Sequence, residues 1–597
     1  MNALAPNSSA PPVWDLSDLY AAPTDPKIAA DLDQAEALAR KQAGREGAFL
    51  AARGDPAALG VLIAAAISTE EAIVNLTWAV AAYASLSTST ARGDPALAKF
   101  EADVRARVTD IGALTLFLSL ELNQLEDAEI EAALVAEPDA ARWRPWLRRV
   151  RAGRPHELSR ELEKLMLERS PALEQWTRLY DETLARLQVS VGRERLTLNE
   201  ALNRLSDAQP ARRRLAADGL AEALKDAAPV LGLAFNTRAL EKRIEDRWRK
   251  FPTPASSRHL ANEVDAAAVD AMVAAVVERY PRLSHRYYRL KAKALGKAAL
   301  DYWDRNAPLE TVAPRVYDWS EARAITLDSF ADLGPRFADR ARTFFERPWI
   351  DAAPRPGKSS GAYSHPLTAD KHPYVFLNFV GERRDVLTLA HELGHAVHQT
   401  LTRPLGTLLA DTPLTLAETA SIFAEGLVFD RLLAQAKPSE KRGLLAGRIE
   451  DGLNTVVRQV AFHRFETAFH AARAEGEVSA EATGKIWLEA MGESLGDGVT
   501  LNPGYEWYWA YVSHFVHTPF YVYAYAFGDL LVAALMERRR QDPVGFAPLY
   551  ETLLAGGGSK TYLEALAPFG FDPREKAFWA TGLDRLERMV DAFEALG

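Results

Sequence analysis

The sequence predicts a mostly α-helical protein, with a small β-sheet placed just ahead of its most informative motif. Three observations lead there. Apolar residues recur at helical spacing across most of the first 350 residues. Few segments alternate with the period of two that a half-buried strand requires. One short β-rich run, Tyr374-Val375-Phe376-Leu377-Asn378-Phe379, stands out from that helical background.

The elements follow in chain order. Residues 28–49 are dense in Ala, Leu, Glu and Lys at helical spacing. Ser68-Thr69-Glu70-Glu71 reads as a capping box ahead of the apolar run 72–84, so a helix is expected to begin there. Similar patterns predict helices at 98–123, 157–187, 196–226, 264–294 and 321–346. Proline-rich breaks at 251–256, 306–314 and 353–357 punctuate them. No repeat or low-complexity segment is visible, and a domain boundary is expected near residue 200.

Composition narrows the chemistry. The 597 residues include no cysteine, which excludes a disulfide framework, a cysteine nucleophile and a thiolate metal site. Any transition-metal site must therefore use histidine and carboxylates. The net charge of −10 argues against general nucleic-acid binding, and the arginine run at 148–154 reads as a solvated helix face. The first residues lack the basic and apolar regions of a signal peptide. No stretch reaches the roughly 18 uninterrupted apolar residues of a membrane helix. The nearest, 505–527, is broken by Glu506, His514, His517 and Pro519. A cytoplasmic location without a membrane partner is the expectation.

The decisive segment is Asp385-Val386-Leu387-Thr388-Leu389-Ala390-His391-Glu392-Leu393-Gly394-His395-Ala396-Val397-His398. Residues four apart share a helix face, so His391 and His395 can aim at one ion. Glu392 lies about 100° round from His391, within reach of a water on that ion. Zinc suits such ligands and acidifies its water, and a carboxylate can then accept the proton. The apolar flanks imply a buried helix, where two histidines and a glutamate need partners.

Two histidines leave zinc short of ligands. A histidine at 401 would extend the motif, but Leu401 stands there. Glu418, among small and apolar residues 23 positions beyond His395, is the candidate third ligand. The alternative for Glu418 is a charge favoured by a helix N-terminus. Glu425, seven residues on, is expected to orient a ligating histidine, with a surface ion pair as the alternative. His398 is expected to be structural.

These residues resemble the M3 family of zinc metallopeptidases, specifically its oligoendopeptidase F branch. The resemblance runs through Trp14-Asp15-Leu16-Ser17-Asp18-Leu19-Tyr20, Asp304-Arg305-Asn306-Ala307-Pro308-Leu309, Trp349-Ile350-Asp351 and Gly357-Lys358-Ser359-Ser360-Gly361-Ala362-Tyr363-Ser364. It continues through the 374–379 run, the His391 motif and Glu418-Thr419-Ala420-Ser421. It ends on His514-Phe515 and Pro519-Phe520-Tyr521-Val522-Tyr523-Ala524-Tyr525-Ala526-Phe527-Gly528. Ser359, Ser513 and His517 depart from the usual pattern.

The resemblance implies a two-lobed helical peptidase with a deep channel and one zinc ion at its floor. It assigns 1–200 to an N-terminal helical domain of the oligoendopeptidase F type and 201–597 to the catalytic domain. The expected reaction is hydrolysis of internal bonds in short unfolded oligopeptides, with Glu392 as general base. His514, Tyr523 and Tyr525 are the candidate donors to the oxyanion, His514 and Tyr525 foremost. Tyr521, Tyr523 and Tyr525 cannot all face one point of a helix, so at least one packs elsewhere. Expected substrate contacts are Gly361, Tyr374, Phe376, Asn378, His517 and Tyr521, with the 374–379 run pairing with substrate as an edge strand. A carboxypeptidase or dipeptidyl carboxypeptidase on the same scaffold, and a non-catalytic peptide binder, are the alternatives.

Overall fold

A computed structural model of the protein describes residues 10–309 and 315–596. Most of the segment read for a signal peptide (1–9), and residues 310–314 of one proline-rich break, lie outside them. The described residues are mostly helical, with seven short strands. These are β1 (Gln188–Val191), β2 (Glu194–Thr197), β3 (Leu300–Asp301), β4 (Ile350–Asp351), β5 (Tyr363–His365), β6 (Tyr374–Phe376) and β7 (Val499–Thr500).

The chain forms two compact units by packing, each assembled from three separate stretches, the second running through residue 200. One comprises Met1–Arg154, Pro314–Ala434 and Asp542–Gly570; the other Pro155–Ala313, Gln435–Gln541 and Phe571–Gly597. Residues just before 200 form the antiparallel β1–β2 hairpin, which lies against the Pro210–Trp248 helix so closely that a Cβ on Gly219 would come within 2.2 Å of the Ser190 carbonyl oxygen. A linear change in composition carries no trace of such a contact.

In the first unit, the Pro56–Thr90 helix is the longest, at 35 residues. It starts at Asp55, whose carboxylate accepts from the Ala58 N–H at 3.0 Å, with Pro56 in the first turn. The capping box expected at Ser68–Glu71 therefore lies inside a helix. Thr69 Oγ1 donates back to the Ala65 carbonyl at 2.7 Å and caps nothing. By length and composition this helix could cross a membrane. A search for uninterrupted apolar residues passes over it because Ser68–Glu71 breaks the run. Ile63 and Ile67 join a core with Phe49, Leu122 and Trp143. Ile73, Val80 and Tyr83 join another with Trp14, Tyr374 and Phe376.

The arginine run is not a solvated face either. On the Arg144–Ala152 helix, Arg149 donates to the carbonyls of Leu408 (2.6 Å) and Asp411 (2.9 Å). Arg151 reaches the Leu125 carbonyl (2.8 Å) and Asp127 (2.6 Å). Guanidinium groups have enough donors to tie several carbonyls at once.

The unit's sheet has the order β4-β6-β5, with β4 parallel and β5 antiparallel to β6. The strand expected to offer a free edge is thus the central one. Val375 and Leu377 donate to the carbonyls of Trp349 and Asp351, and β5 covers the other side. Tyr374 and Phe376 are fully buried. The edge strands are β4 and β5. The buried Lys358 ammonium fixes this corner, bonding Asp351 Oδ1 at 2.6 Å and the Leu377 carbonyl at 2.6 Å.

The second unit is cored by aromatic residues. Phe235 stacks on Phe469 at 3.8 Å and meets Phe465, Trp509 and Phe515. Within it, β3 and β7 pair in parallel.

Candidate metal centre

The centre is built on the Arg383–Thr402 helix. Glu382 begins it with a capping box, and Asp385 accepts from the N–H groups of Val380 (2.9 Å) and Glu382 (3.0 Å). Val386, Leu389, Ala390, Leu393, Ala396 and Val397 bury its apolar face. That fixes the helix's rotation and leaves His391 and His395 partly exposed on the opposite side. Their ring centroids lie 5.0 Å apart.

Glu418 arrives from a second chain segment. It stands at the junction between a short helix, Leu414–Ala417, and the Thr419–Gln435 helix. Its Oε2 lies 3.4 Å from Nε2 of both His391 and His395. Ligand atoms of these three residues all fall within 4.8 Å of one another, the one such group of three among the described residues. Ser421 Oγ donates to Glu418 Oε2 at 2.6 Å and holds the carboxylate in place. Phe423 stacks on Phe546, and Tyr550 donates to the Thr419 carbonyl at 3.1 Å, so the second helix is anchored from behind.

Gly394 makes the meeting possible. A Cβ there would come within 2.5 Å of the Ala420 carbonyl oxygen and 2.7 Å of Ser421 Cα. The two helix backbones are nearly in contact at this point, within one turn of both histidines. The sequence contains the signal, a glycine inside an otherwise good helix, but not the identity of what approaches it.

The donor set fits zinc: two imidazoles and a carboxylate converge, with no thiolate in the chain. The other ring nitrogen of His391, Nδ1, lies 3.4 Å from Glu425 Oε2. That contact directs Nε2 toward the shared point. Burial works to lower the His391 pKa. The Glu425 hydrogen bond and the charges of Glu392, Glu418 and Glu425 outweigh it and hold the ring above its ordinary value. Burial would raise Glu418, but His395 and the Ser421 hydroxyl pull it down to about 2. It is a ready anionic donor.

Glu392 is buried beside this group. Burial raises its pKa, against the pull of His391 and His395 and a hydrogen bond from the Ser364 backbone. Ser364 belongs to β5, and its hydroxyl donates to Gln399 Oε1 of the metal helix at 2.8 Å. The edge strand β5 thus runs beside the candidate base, with the Ser364 main chain bonded to Glu392 and its carbonyl accepting from Gln399 Nε2 at 3.3 Å. His398 is buried away from the ligand group, 3.4 Å from Thr412 Oγ1, with its pKa pushed down to about 4 by burial.

The remaining expected site residues divide. Gly361 has φ +87°, and a Cβ there would meet nothing within 4 Å, so the shape of its turn and not crowding requires glycine. Asn378 donates to the carbonyls of Ser359 (2.9 Å) and Gly361 (3.2 Å), clamping the loop that leads into β5. Tyr374 turns into the core, its hydroxyl bonded to Asp18 and to the Asp15 carbonyl.

In the second unit, His514 Nε2 lies 3.1 Å from Tyr525 Oη, and Tyr521 stacks on the His514 ring. His517 Nε2 meets Asp181 Oδ1 at 2.7 Å. Tyr523 does not join them. It is fully buried, with its hydroxyl held by His259 (3.0 Å) and Asn262 (2.9 Å). The expectation that it is an oxyanion donor gives way to a packing role, because residues two apart point to different sides of a helix.

Comparison with known proteins gives the chain's family and fold. Residues 222–585 match the model of peptidase family M3, and residues 121–188 match that of oligopeptidase F. The chain is 28 % identical over 351 residues to the chromosomal oligoendopeptidase F of Lactococcus lactis subsp. cremoris, a match spanning 58 % of each chain. It is 25 % identical over 506 residues to the group B oligopeptidase of Streptococcus agalactiae, spanning 83 % of this chain and 82 % of that one. Its fold is shared with the crystal structure of oligoendopeptidase-F from Enterococcus faecium, with a TM-score of 0.69, 18 % identity, and 95 % and 99 % of the two chains covered. A structure from Chlamydophila abortus gives a TM-score of 0.87 at 21 % identity, covering 98 % of both.

Proposed function

The chain belongs to peptidase family M3, and from that premise we propose that it is a zinc metalloendopeptidase that hydrolyses internal bonds of short, unfolded oligopeptides. The observation that carries this reading is the convergence of His391, His395 and Glu418 beside the buried Glu392.

Zinc held by those three side chains would supply Lewis acidity, which activates water and polarises a carbonyl. Glu392 is the general base in this reading. Its carboxylate takes the proton of the attacking water and returns it to the leaving amine. Burial, by raising its pKa, makes the carboxylate a stronger base toward that proton. Ser421 and Glu425 keep the ligands oriented while charge develops.

An extended substrate would run along the edge strand β5 and the turn leading into it, where main-chain groups not already held by Glu392 and Gln399 would bind backbone and ignore side-chain identity. The open turn at Gly361, clamped by Asn378, leads into that edge. His514 and Tyr525, a hydrogen-bonded pair, are the proposed donors to the oxyanion.

Mass spectrometry of a pool of short peptides, with and without a chelator, tests the reading. Internal cuts that stop on chelation and return with zinc are expected. Products shortened from one end only would make the protein an exopeptidase. No cleavage by folded, zinc-loaded protein would leave a peptide binder.

A further inference from the structure

The turn between His514 and Tyr525 contains an unusual residue. Phe520 has φ +61°, one of three non-glycine residues with positive φ among the described residues. L side chains rarely adopt this conformation, because Cβ crowds the following carbonyl. Something must hold it there.

The holding group is Glu466, on the Arg458–Glu475 helix. It is fully buried, and its Oε1 accepts the Phe520 N–H at 2.8 Å. The Phe520 ring packs against His470 and His463, one turn to either side of Glu466 on the same helix. Three residues beyond Phe520, the Tyr523 hydroxyl is gripped by His259 and Asn262. The turn is therefore fixed at one residue by a main-chain bond and at the next anchor by a side chain. Between these fixed points and the Thr518 N–H bond to the His514 carbonyl (2.9 Å), the segment has little freedom.

We propose that Glu466 is a positioning residue for the His514–Tyr525 pair: by capturing the Phe520 N–H, it locks the left-handed turn that sets their two side chains within hydrogen-bond distance. This rests on the reading of that pair as donors in the reaction. Glu466 touches no reacting atom in this assignment. Burial raises its pKa to about 8, so near neutral pH it is an uncharged acid. Glutamine is then its close mimic, keeping a carbonyl oxygen aimed at the Phe520 N–H.

The experiment compares Glu466→Gln, Glu466→Leu and His514→Ala with wild type, each zinc-loaded. It measures amide hydrogen exchange of the 514–525 segment together with kcat and KM. The expected result is that glutamine preserves exchange protection and kcat. Leucine is expected to speed exchange and lower kcat about tenfold or more with little change in KM, an effect made in the transition state. If the leucine variant does not fold, Glu466→Asp, which withdraws the carboxyl by one methylene, carries the same comparison. Unchanged exchange in the leucine or aspartate variant overturns the lock. So does equal impairment by glutamine, since the hydrogen bond would then not be what matters. Faster exchange with unchanged kcat, alongside an unimpaired His514→Ala, instead overturns the reading of the pair and removes Glu466 from the reaction.

Discussion

Gly394 and Ser421 face each other so closely that a Cβ on Gly394 would lie 2.7 Å from Ser421 Cα. This contact draws the helix bearing His391 and His395 against the segment bearing Glu418. The centre thus depends on a residue that binds nothing.

Gly394→Ala should lower zinc content and stability together. Alanine gains roughly 1 kcal/mol of helix propensity over glycine, but overpacking a tight contact costs about 1–3 kcal/mol. Here the obstruction is backbone, which cannot rotate away, so the cost wins. Metal analysis and a thermal melt check this. Full zinc occupancy with an unchanged melting temperature would mean that the helices part without moving Glu418.

Glu392→Gln should retain zinc and lose about 10²- to 10⁴-fold in kcat. The three ligands are intact and only the proton acceptor is gone. Comparable turnover in the variant would remove Glu392 from its assigned role.

Ser421→Ala and Glu425→Gln should each weaken zinc binding by about 10- to 100-fold, with activity returning when zinc is added in excess. The first frees the Glu418 carboxylate and the second frees the His391 ring. Glu418→Ala should lose zinc more severely, and excess metal should not restore it. Competition with a coloured chelator measures all three. Full zinc affinity in Glu418→Ala would place the third ligand elsewhere.

Glu466→Gln should become more stable than wild type as pH rises. In the folded protein the Glu466 pKa is raised to about 8, and its ordinary value is 4.5. Below the ordinary value both folded and unfolded chains hold the proton, and the group costs nothing. As pH climbs toward about 8 the unfolded chain releases the proton and the folded one keeps it, so stability is progressively lost. Glutamine removes this loss, by several kcal/mol in order of magnitude. Urea midpoints of the two proteins at pH 5 and pH 8 give the comparison, in which effects common to both cancel. An equal gap at the two values would mean that Glu466 is ionised in the folded state.

How much of this was legible beforehand varies by residue. His391, Glu392 and His395 are readable because four residues of helix fix their common face by covalent geometry alone. Glu418 could be singled out as a carboxylate among apolar neighbours, although nothing in its spacing says where the returning segment lands. The preference for Tyr525 over Tyr523 comes from the resemblance and not from the spacing of the residues. Which of the two is buried depends on where the Tyr523–Gln541 helix begins and on His259 and Asn262, far away in sequence. The strand expected over 374–379 forms over 374–376 only, and its neighbours are invisible in the sequence. β4 and β5 are two and three residues long and carry no periodic pattern. The helix start expected at Ser68 failed because a capping sequence competes with continuation, and no glycine or proline interrupts 61–90.

The sequence by itself determined the helical character, the exclusion of sulfur ligands and the histidine pair with its neighbouring glutamate. Each follows from composition or from spacing within a few residues. Tertiary structure alone decided that Glu418 meets the pair, that β6 is the central strand and β5 an edge strand, and that Glu466 holds the Phe520 turn. Those outcomes require distant segments to approach, and approach is set by the summed packing of many side chains, each weak and none local.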